Sequence, residues 1–289
     1  QTNSFQKKTT MKMNMENQSI PQKSKFSSTF ALLVIPLCLI VAIIIYVFIF
    51  GSPSNFDSNG APKAGNYLAI VHEGGVIVPV LMSFFLMVIT FSIERFITIR
   101  QAYGSGSVDN FVRRIKSFLS SNDINSAMQV CEEQKGSLGN VTLSVLKKYK
   151  GVVADKSMTK DQKQVSIQKE LEEATSLELP ILEKNLTILA TLASVATLVG
   201  LLGTVIGMIK AFAALASSGT PNAEALASGI SEALINTALG IASSALAIVF
   251  YNLFTSQIDT LTYSIDEVGF SINQNFATHN KEKESAVIA

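Results

Sequence analysis

The sequence predicts an all-α, polytopic membrane protein whose long transmembrane helices extend into a cytoplasmic helical region. Of its 289 residues, 48% are hydrophobic and only 16% are charged, and the mean hydropathy is +0.34. The apolar residues are also gathered into blocks rather than spread periodically along the chain. Four blocks contain roughly 20 residues or more, which is enough for a helix to cross about 30 Å of hydrocarbon. These features are typical of an integral membrane protein.

The four apolar blocks define the predicted domain organisation. The predicted transmembrane helices are 30–50, 75–99, 186–214 and 226–254. The polar segments between them are predicted to be an N-terminal tail (1–29), a periplasmic loop (51–74), a cytoplasmic helical region (100–185), a periplasmic turn (215–225) and a cytoplasmic tail (255–289). The first block exceeds the apolar core of a signal peptide and lacks a small-residue cleavage site. We therefore expect it to be a retained anchor.

The positions of basic residues predict the orientation in the membrane. The lysines that precede the first span are Lys7, Lys8, Lys12, Lys23 and Lys25. By contrast, the segment 51–75 contains only Lys63, and the turn 215–225 contains no basic residue. Cytoplasmic flanks of transmembrane helices are enriched in Lys and Arg, so the N-terminus is predicted to be cytoplasmic. The Lys- and Arg-rich segment 100–184 then falls on the same side, which agrees with this orientation.

The cytoplasmic segment is predicted to form helices that project from the membrane bundle, without a separate globular domain. Apolar residues recur at helical spacing over 108–119, Asn122-Asp123 offers an N-cap for a second helix, and Lys135-Gly136 ends that helix. A third amphipathic helix begins near Leu138. After a polar break at 151–161, a fourth helix at 165–177 is expected to run into the third span, with a break at Pro180.

Composition excludes several classes of function. A net charge of +1 argues against a nucleic-acid partner, because topology accounts for the basic residues. The two histidines, His72 and His279, lie near no nucleophile or ligand cluster, so we expect neither an enzyme nor a metal or cofactor site. Glu94, Arg95 and Lys210 lie near the ends of predicted spans. We expect them to be ordinary interfacial residues that extend their charged groups toward the membrane surface.

Small residues form a stripe along each of the last two predicted spans. These residues are Gly200, Gly203 and Gly207 on the third span, and Gly229, Ala233, Gly240 and Ser244 on the fourth. Small side chains allow transmembrane helices to approach closely. The stripe therefore predicts either tight helix packing or the smooth wall of a lumen that admits partner helices.

Four polar residues on these two spans are candidate functional residues. Thr204 and Thr237 each lie roughly 15 to 18 Å below the predicted outer turn, near the middle of the bilayer. A threonine hydroxyl can donate to a carbonyl of its own helix or take part in a chain of water molecules. Glu232 is an ionisable residue inside a span, which indicates a functional site. Asn236 lies one turn away on the same helix face and offers Glu232 a hydrogen-bond partner.

Two alternatives about Glu232 stay open at this point. A desolvated Glu232 would take up a proton at neutral pH, whereas in an aqueous vestibule it would stay ionised and attract cations. Five residues on an ideal helix correspond to about 140°, so Glu232 and Thr237 do not share a face. Either the two residues serve different surfaces, or the helix is distorted between them.

The motifs on these spans resemble the ExbB/TolQ/MotA family of proton-channel subunits, and most of all ExbB. The resemblance is carried by LLGTVIGM at 201–208, GISEALINTALG at 229–240 and the pair Tyr251-Asn252. It extends to Glu73-Gly74-Gly75 and to the segment IERF at 93–96, and it covers roughly 70–255. This chain departs from the usual pattern at Thr197 and Leu246, where many members have proline, and at Asn236, where Thr or Ala is usual. The predicted span 30–50 is also an additional helix relative to a three-helix ExbB.

The resemblance implies a function and partners. Family members form a homopentameric ring around helices of an ExbD-like single-span partner in the bacterial inner membrane. They use the proton motive force to drive a TonB-like protein and outer-membrane transport. By motif position, Thr204, Thr237 and Glu232 match the pore-associated residues of the family, and Asn236 lies between the last two. The alternatives are a TolQ-like subunit for envelope integrity, a gliding or flagellar stator, and a non-conducting membrane scaffold.

Overall fold

A computed structural model of the protein describes residues 25–58, 61–63, 65–217 and 223–288. Over these ranges the chain forms nine α-helices and no β-strand, which confirms the predicted all-α class. The predicted N-terminal tail up to residue 24 and the middle of the predicted outer turn, 218–222, lie outside the described residues.

The helices follow the chain order closely. They are α1 Lys25–Ile44, α2 Tyr67–His72, α3 Ile77–Tyr103, α4 Val108–Ser120, α5 Ile124–Gln134, α6 Gly136–Ala154, α7 Lys160–Glu183, α8 Leu186–Ser217 and α9 Ala223–Ile288. A π-helical segment, Ile45–Phe50, extends α1. Four helical segments of the described chain are long and apolar enough to cross a membrane: Phe30–Phe50, Ile77–Ser120, Lys160–Ala216 and Ala223–Thr278. They include most or all of α1, α3 and α8 and most of α9. The protein is a multi-pass membrane protein.

Helix α9 connects the apolar helices to the remaining ones. Its 66 residues make it about 100 Å long, more than three times the thickness of the hydrocarbon layer. It runs unbroken through Leu246, just as α8 runs unbroken through Thr197, so neither position interrupts its helix. One cluster of buried side chains runs from Cys38 and Phe91 to Phe276 near the far end of α9. The amphipathic helices therefore share a core with the apolar ones.

Local signals placed the hairpin of α4 and α5 correctly. The Asp123 carboxylate accepts a hydrogen bond from the backbone N–H of Ser126 at 3.0 Å and so caps α5. The chain then turns through Lys135 (φ 58°) and Gly136 (φ 65°), where the predicted stop lies. The hypothetical Cβ of Gly136 would lie 2.4–2.8 Å from backbone atoms of the α3 end, so this turn requires glycine.

The predicted break at Pro180 is wrong. Helix α7 contains Pro180 and continues to Glu183, and the chain bends instead at Asn185, whose φ is 64°. Proline removes one N–H from a helix, but it does not end the helix when other groups hold the following turn. Here the buried Arg95 of α3 donates to the carbonyl oxygens of Ile181 and Leu182, at 3.2 and 3.0 Å, and stabilises that turn.

The additional N-terminal helix packs against α3. The rings of Phe30 and Phe91 meet edge to face at 6.2 Å, and the Tyr46 hydroxyl donates to the His72 carbonyl oxygen at 3.0 Å. The Tyr46 and His72 rings also stack at 4.5 Å. The opposite face of this segment is exposed and apolar, as Phe48 illustrates with 73% exposure. This pattern is typical of a peripheral helix that faces lipid.

Candidate functional site

The stripe of small residues forms the contact between α8 and α9, which we call the seam. A Cβ atom on Gly200 would lie 2.9 Å from the carbonyl oxygen of Asn236 and 3.0 Å from the Cα of Gly240. A Cβ on Gly240 would lie 2.7 Å from the carbonyl oxygen of Ala196. Because these neighbours are backbone atoms, a side chain at either position would force the helices apart.

The rest of the stripe lies in the same seam. Gly207 packs against the Gly229 carbonyl oxygen and against Ala233, with hypothetical Cβ distances of 2.8 and 2.9 Å. A Cβ on Gly203 would overlap the Asn236 side chain, and the Ser244 hydroxyl donates to the carbonyl oxygen of Ala193. The predicted helix packing is thus what the structure shows. The lumen-wall alternative is wrong for these residues, because both stripes are covered by the partner helix of the same chain.

Thr204 and Thr237 lie together on one edge of the seam, which we call the threonine edge. On an ideal helix, each lies roughly 60° to the same side of the seam residues of its helix. Both side chains are partly exposed. Thr204 donates to the Leu201 carbonyl oxygen at 2.6 Å, and Thr237 donates to the Ala233 carbonyl oxygen at 3.1 Å. Each hydroxyl oxygen still has lone pairs that can accept a hydrogen bond from water.

Glu232 lies on the opposite edge of the seam. It is 8% exposed, and its Oε1 accepts from the Nζ of Lys210 on α8 at 2.6 Å. Helix α9 is continuous through this region, so Glu232 and Thr237 serve different surfaces. The expectation that the carboxylate and the two hydroxyls share one passage is therefore wrong within a single copy of the chain.

Asn236 is enclosed by protein. It has no exposed surface, and its Nδ2 donates to the Gly74 carbonyl oxygen at 2.9 Å, in the turn that precedes α3. It therefore neither lines a passage nor binds Glu232, which corrects both expectations. The physical reason is the rotation of α9, which points this side chain at α3. Asn236 fixes the α3 turn against the seam.

Two polar contacts in the structure were not predicted from the sequence. Lys210 was expected to reach toward the membrane surface, but it binds the carboxylate of Glu232. Arg95 was also expected to be interfacial, but it is 2% exposed and holds Glu94, which in turn accepts from Asn185 at 3.2 Å. The signal available for Lys210 was that it lies on the same edge of the striped helix pair as Glu232. No local pattern indicated the contacts of Arg95.

The protein resembles known membrane proteins over the region that contains the seam. Residues 141–267 match the MotA/TolQ/ExbB proton channel family. The putative biopolymer transport protein ExbB-like 3 of Synechocystis is 40% identical over 88 residues, which is 30% of this chain and 42% of that protein. The biopolymer transport protein ExbB of Salmonella typhimurium is 37% identical over 84 residues, which is 29% of this chain and 34% of that protein.

A relative with a different name matches equally well. The Tol-Pal system protein TolQ of Haemophilus influenzae is 38% identical over 88 residues, which is 30% of this chain and 39% of that protein. The matches thus span less than half the length of each of these relatives. They confirm the resemblance predicted from the motifs. Over residues 141–267, a little under half of its length, the chain is thus similar to the MotA/TolQ/ExbB proton channel family.

Proposed function

We propose that this protein is an inner-membrane subunit of a proton-driven motor. In this proposal it works with an ExbD-like single-span partner and a TonB-like protein, and it couples the proton motive force to outer-membrane transport. The observation that carries the proposal is the threonine edge. Two hydroxyls, Thr204 and Thr237, lie on one partly exposed edge of a tightly packed helix pair. The family match and the relatives named ExbB support it.

The two edges of the seam suggest how copies would be arranged. The edge with Glu232 is covered by the turn before α3, and α1 packs against α3. The threonine edge, by contrast, retains exposed surface in a single copy. A ring of copies, pentameric in this proposal, would turn the threonine edges inward around partner helices. The exposed apolar face of α1 would then face lipid.

The hydroxyls give this edge a specific chemical role. An apolar wall would exclude water, whereas each hydroxyl can accept a hydrogen bond while it donates to its own helix. Thr204 and Thr237 would therefore hold water next to the acidic group of a partner helix. The energy of a proton that crosses 100 mV is about 2.3 kcal/mol, so useful work requires several protons. A ring that admits successive protons meets that requirement.

The proposed topology follows from charge and helix length. The N-terminus lies in the cytoplasm, and so do α4 to α7 and the extension of α9. About two thirds of α9 then project beyond the hydrocarbon layer, in contact with α4, α6 and α7. Because this extension is one continuous helix, it would transmit a movement of α9 in the membrane to the cytoplasmic helices.

Proton flux through reconstituted vesicles tests the proposal. The chain and its ExbD-like partner are placed in vesicles that contain a pH-sensitive dye, and an imposed potential drives proton entry. Thr204→Val and Thr237→Val should each lower the flux about tenfold, because each removes a hydrogen-bonding group worth about 1.4 kcal/mol in the barrier. Thr191→Val is the matched control, since Thr191 also donates to its own helix but is exposed away from the seam. Equal flux in all three variants would overturn the role of the threonine edge, whereas no flux through the unaltered complex would favour a non-conducting scaffold.

The second candidate is a TolQ-like subunit that maintains the cell envelope. The specific observation in its favour is the 38% identity to TolQ of Haemophilus influenzae over the same part of the chain. Complementation separates the two candidates. Restored TonB-dependent uptake in a strain without ExbB supports the first, and restored detergent resistance in a strain without TolQ supports the second. A gliding or flagellar stator would restore neither.

A further inference from the structure

Three structural elements meet around the carboxylate of Glu232. Lys210 reaches it from α8, with Nζ and Oε1 2.6 Å apart, and the residue itself belongs to α9. The third element is the turn before α3, where Gly75 adopts a φ of 73°. A Cβ atom on Gly75 would lie 2.6 Å from Oε1 of Glu232, so the turn leaves room for this carboxylate. We call Lys210, Glu232 and Gly75 the clamp.

The exposure of the two charged side chains differs. The Glu232 side chain is 10% exposed, whereas the Lys210 side chain is 54% exposed. Lys210 therefore extends along the protein surface and places its ammonium group against an almost buried carboxylate. Without that cation, the carboxylate would lose both its hydrogen-bond donor and its counter-charge in a site with little water. Such a loss is costly for a buried charge.

The backbone next to the clamp is also fixed. Asn236, one turn along α9 from Glu232, donates to the carbonyl oxygen of Gly74 at 2.9 Å. A Cβ on Gly74 would lie 2.8 Å from the Ile235 side chain, so the turn is packed directly on α9. The position of Gly75 is thus set independently of Lys210. The contacts of Asn236 and Gly74 fix the backbone of the turn but not the Glu232 side chain. Lys210 is the hydrogen-bond donor that fixes this side chain.

We propose that Lys210 is a positioning residue that holds Glu232 in place and thereby joins α8, α9 and the α3 turn at one end of the seam. This inference rests on the proposed function, since it assigns Glu232 a role outside the threonine edge. The clamp fixes the helix pair, and the threonine edge on the other side carries the water. Lys210 thus acts on proton movement only through the position of the helices.

Thermal unfolding of the purified complex tests the clamp without any proton flux. Lys210→Met keeps most of the length of an unbranched side chain and removes its charge, so the unfolding midpoint, followed by circular dichroism, should fall by about 5 °C. Adding Glu232→Gln to this variant removes the unpaired charge and should restore at least half of the loss. Lys210→Arg retains the cation and should unfold at the midpoint of the unaltered protein. Lys148→Met is the control, because Lys148 lies 3.8 Å from a less buried partner, Glu170.

The double variant decides the outcome even where the single one does not assemble. If Lys210→Met yields no folded complex, recovery of the complex with Lys210→Met/Glu232→Gln supports the proposal, and failure to recover it overturns the proposal. Additive losses from the two substitutions would also overturn it, because independent residues show no coupling.

Proton flux in the same variants separates this inference from the proposed function. Lys210→Met should lower the proton flux at least threefold, whereas Lys210→Arg should conduct as well as the unaltered protein. If the unaltered protein conducts no protons, the proposed function fails while the unfolding data still support the clamp. If flux is normal in Lys210→Met and its midpoint is unchanged, the clamp is overturned and the proposed function stands.

Discussion

Replacing Arg95 with methionine tests how the apolar helices are joined to the amphipathic ones. The Arg95 guanidinium is buried and binds the Glu94 carboxylate through Nε at 2.6 Å. It also donates to the carbonyl oxygens of Ile181 and Leu182, the last full turn of α7. Asn185, at the bend between α7 and α8, binds the same carboxylate. One side chain therefore holds α3, α7 and the start of α8 together.

The structure gives the size of the effect. Methionine keeps an unbranched side chain and a high helix propensity, so Arg95→Met removes little except the guanidinium group. It leaves two carbonyl oxygens without their donor and a carboxylate without its cation. Removing one partner of a buried pair costs about 3–5 kcal/mol. Because the Glu94 side chain is 25% exposed, water recovers part of this loss, and we expect a net loss of about 3 kcal/mol.

Denaturant unfolding in detergent, followed by circular dichroism, measures this loss. Arg100→Met is the matched control, because Arg100 lies on the same helix and is exposed. Its effect should stay below about 0.5 kcal/mol. Adding Glu94→Gln to Arg95→Met should recover about 1 kcal/mol, since the unpaired charge is then absent. Equal stability of the Arg95 and Arg100 variants would show that the Arg95 guanidinium does not hold these helices together.

Three further predictions concern other parts of the fold. Gly240→Val should lower the free energy of unfolding by about 3 kcal/mol and loosen the seam, because the neighbours of Gly240 are backbone atoms. Gly151→Val, with open space around it, should lower the free energy by less than about 1 kcal/mol. Equal losses in denaturant unfolding would contradict this prediction. Asn236→Ala should lower the free energy of unfolding by about 2 kcal/mol, because it leaves the Gly74 carbonyl oxygen without its donor. An unchanged unfolding midpoint would contradict this prediction. Burial, followed by the nearby Glu132 charge, raises the pKa of the Cys131 thiol from 9.0 to about 12. Its alkylation near pH 8 should therefore be about 1000-fold slower than that of an unfolded thiol, as mass spectrometry would show. The stability from this site should be complete below pH 9 and should fall as the pH rises toward 12, because only the unfolded thiol ionises in that window.

Sequence patterns predicted the helical elements because those patterns act over short distances. The apolar blocks predicted the long helices, and the residue types at Asn122-Asp123 and Lys135-Gly136 predicted the hairpin of α4 and α5. The break expected at Pro180 was wrong because a residue 86 positions away supports that turn. The same limit applies to the candidate site. Thr204 and Thr237 could be identified by type and depth, but the edge to which they belong depends on how the helices are rotated.

The amino-acid sequence alone indicates an all-α membrane protein, shows which helices are apolar, and places small residues on one face of two of them. Hydropathy and helical periodicity are properties of single segments, so they can be read along the chain. Only the folded structure shows that the glycine stripes face each other within one chain, and that Lys210 binds Glu232, 22 positions later in the sequence. Those contacts depend on the relative rotation and height of separate helices, which are set by packing and by the pairing of buried polar groups.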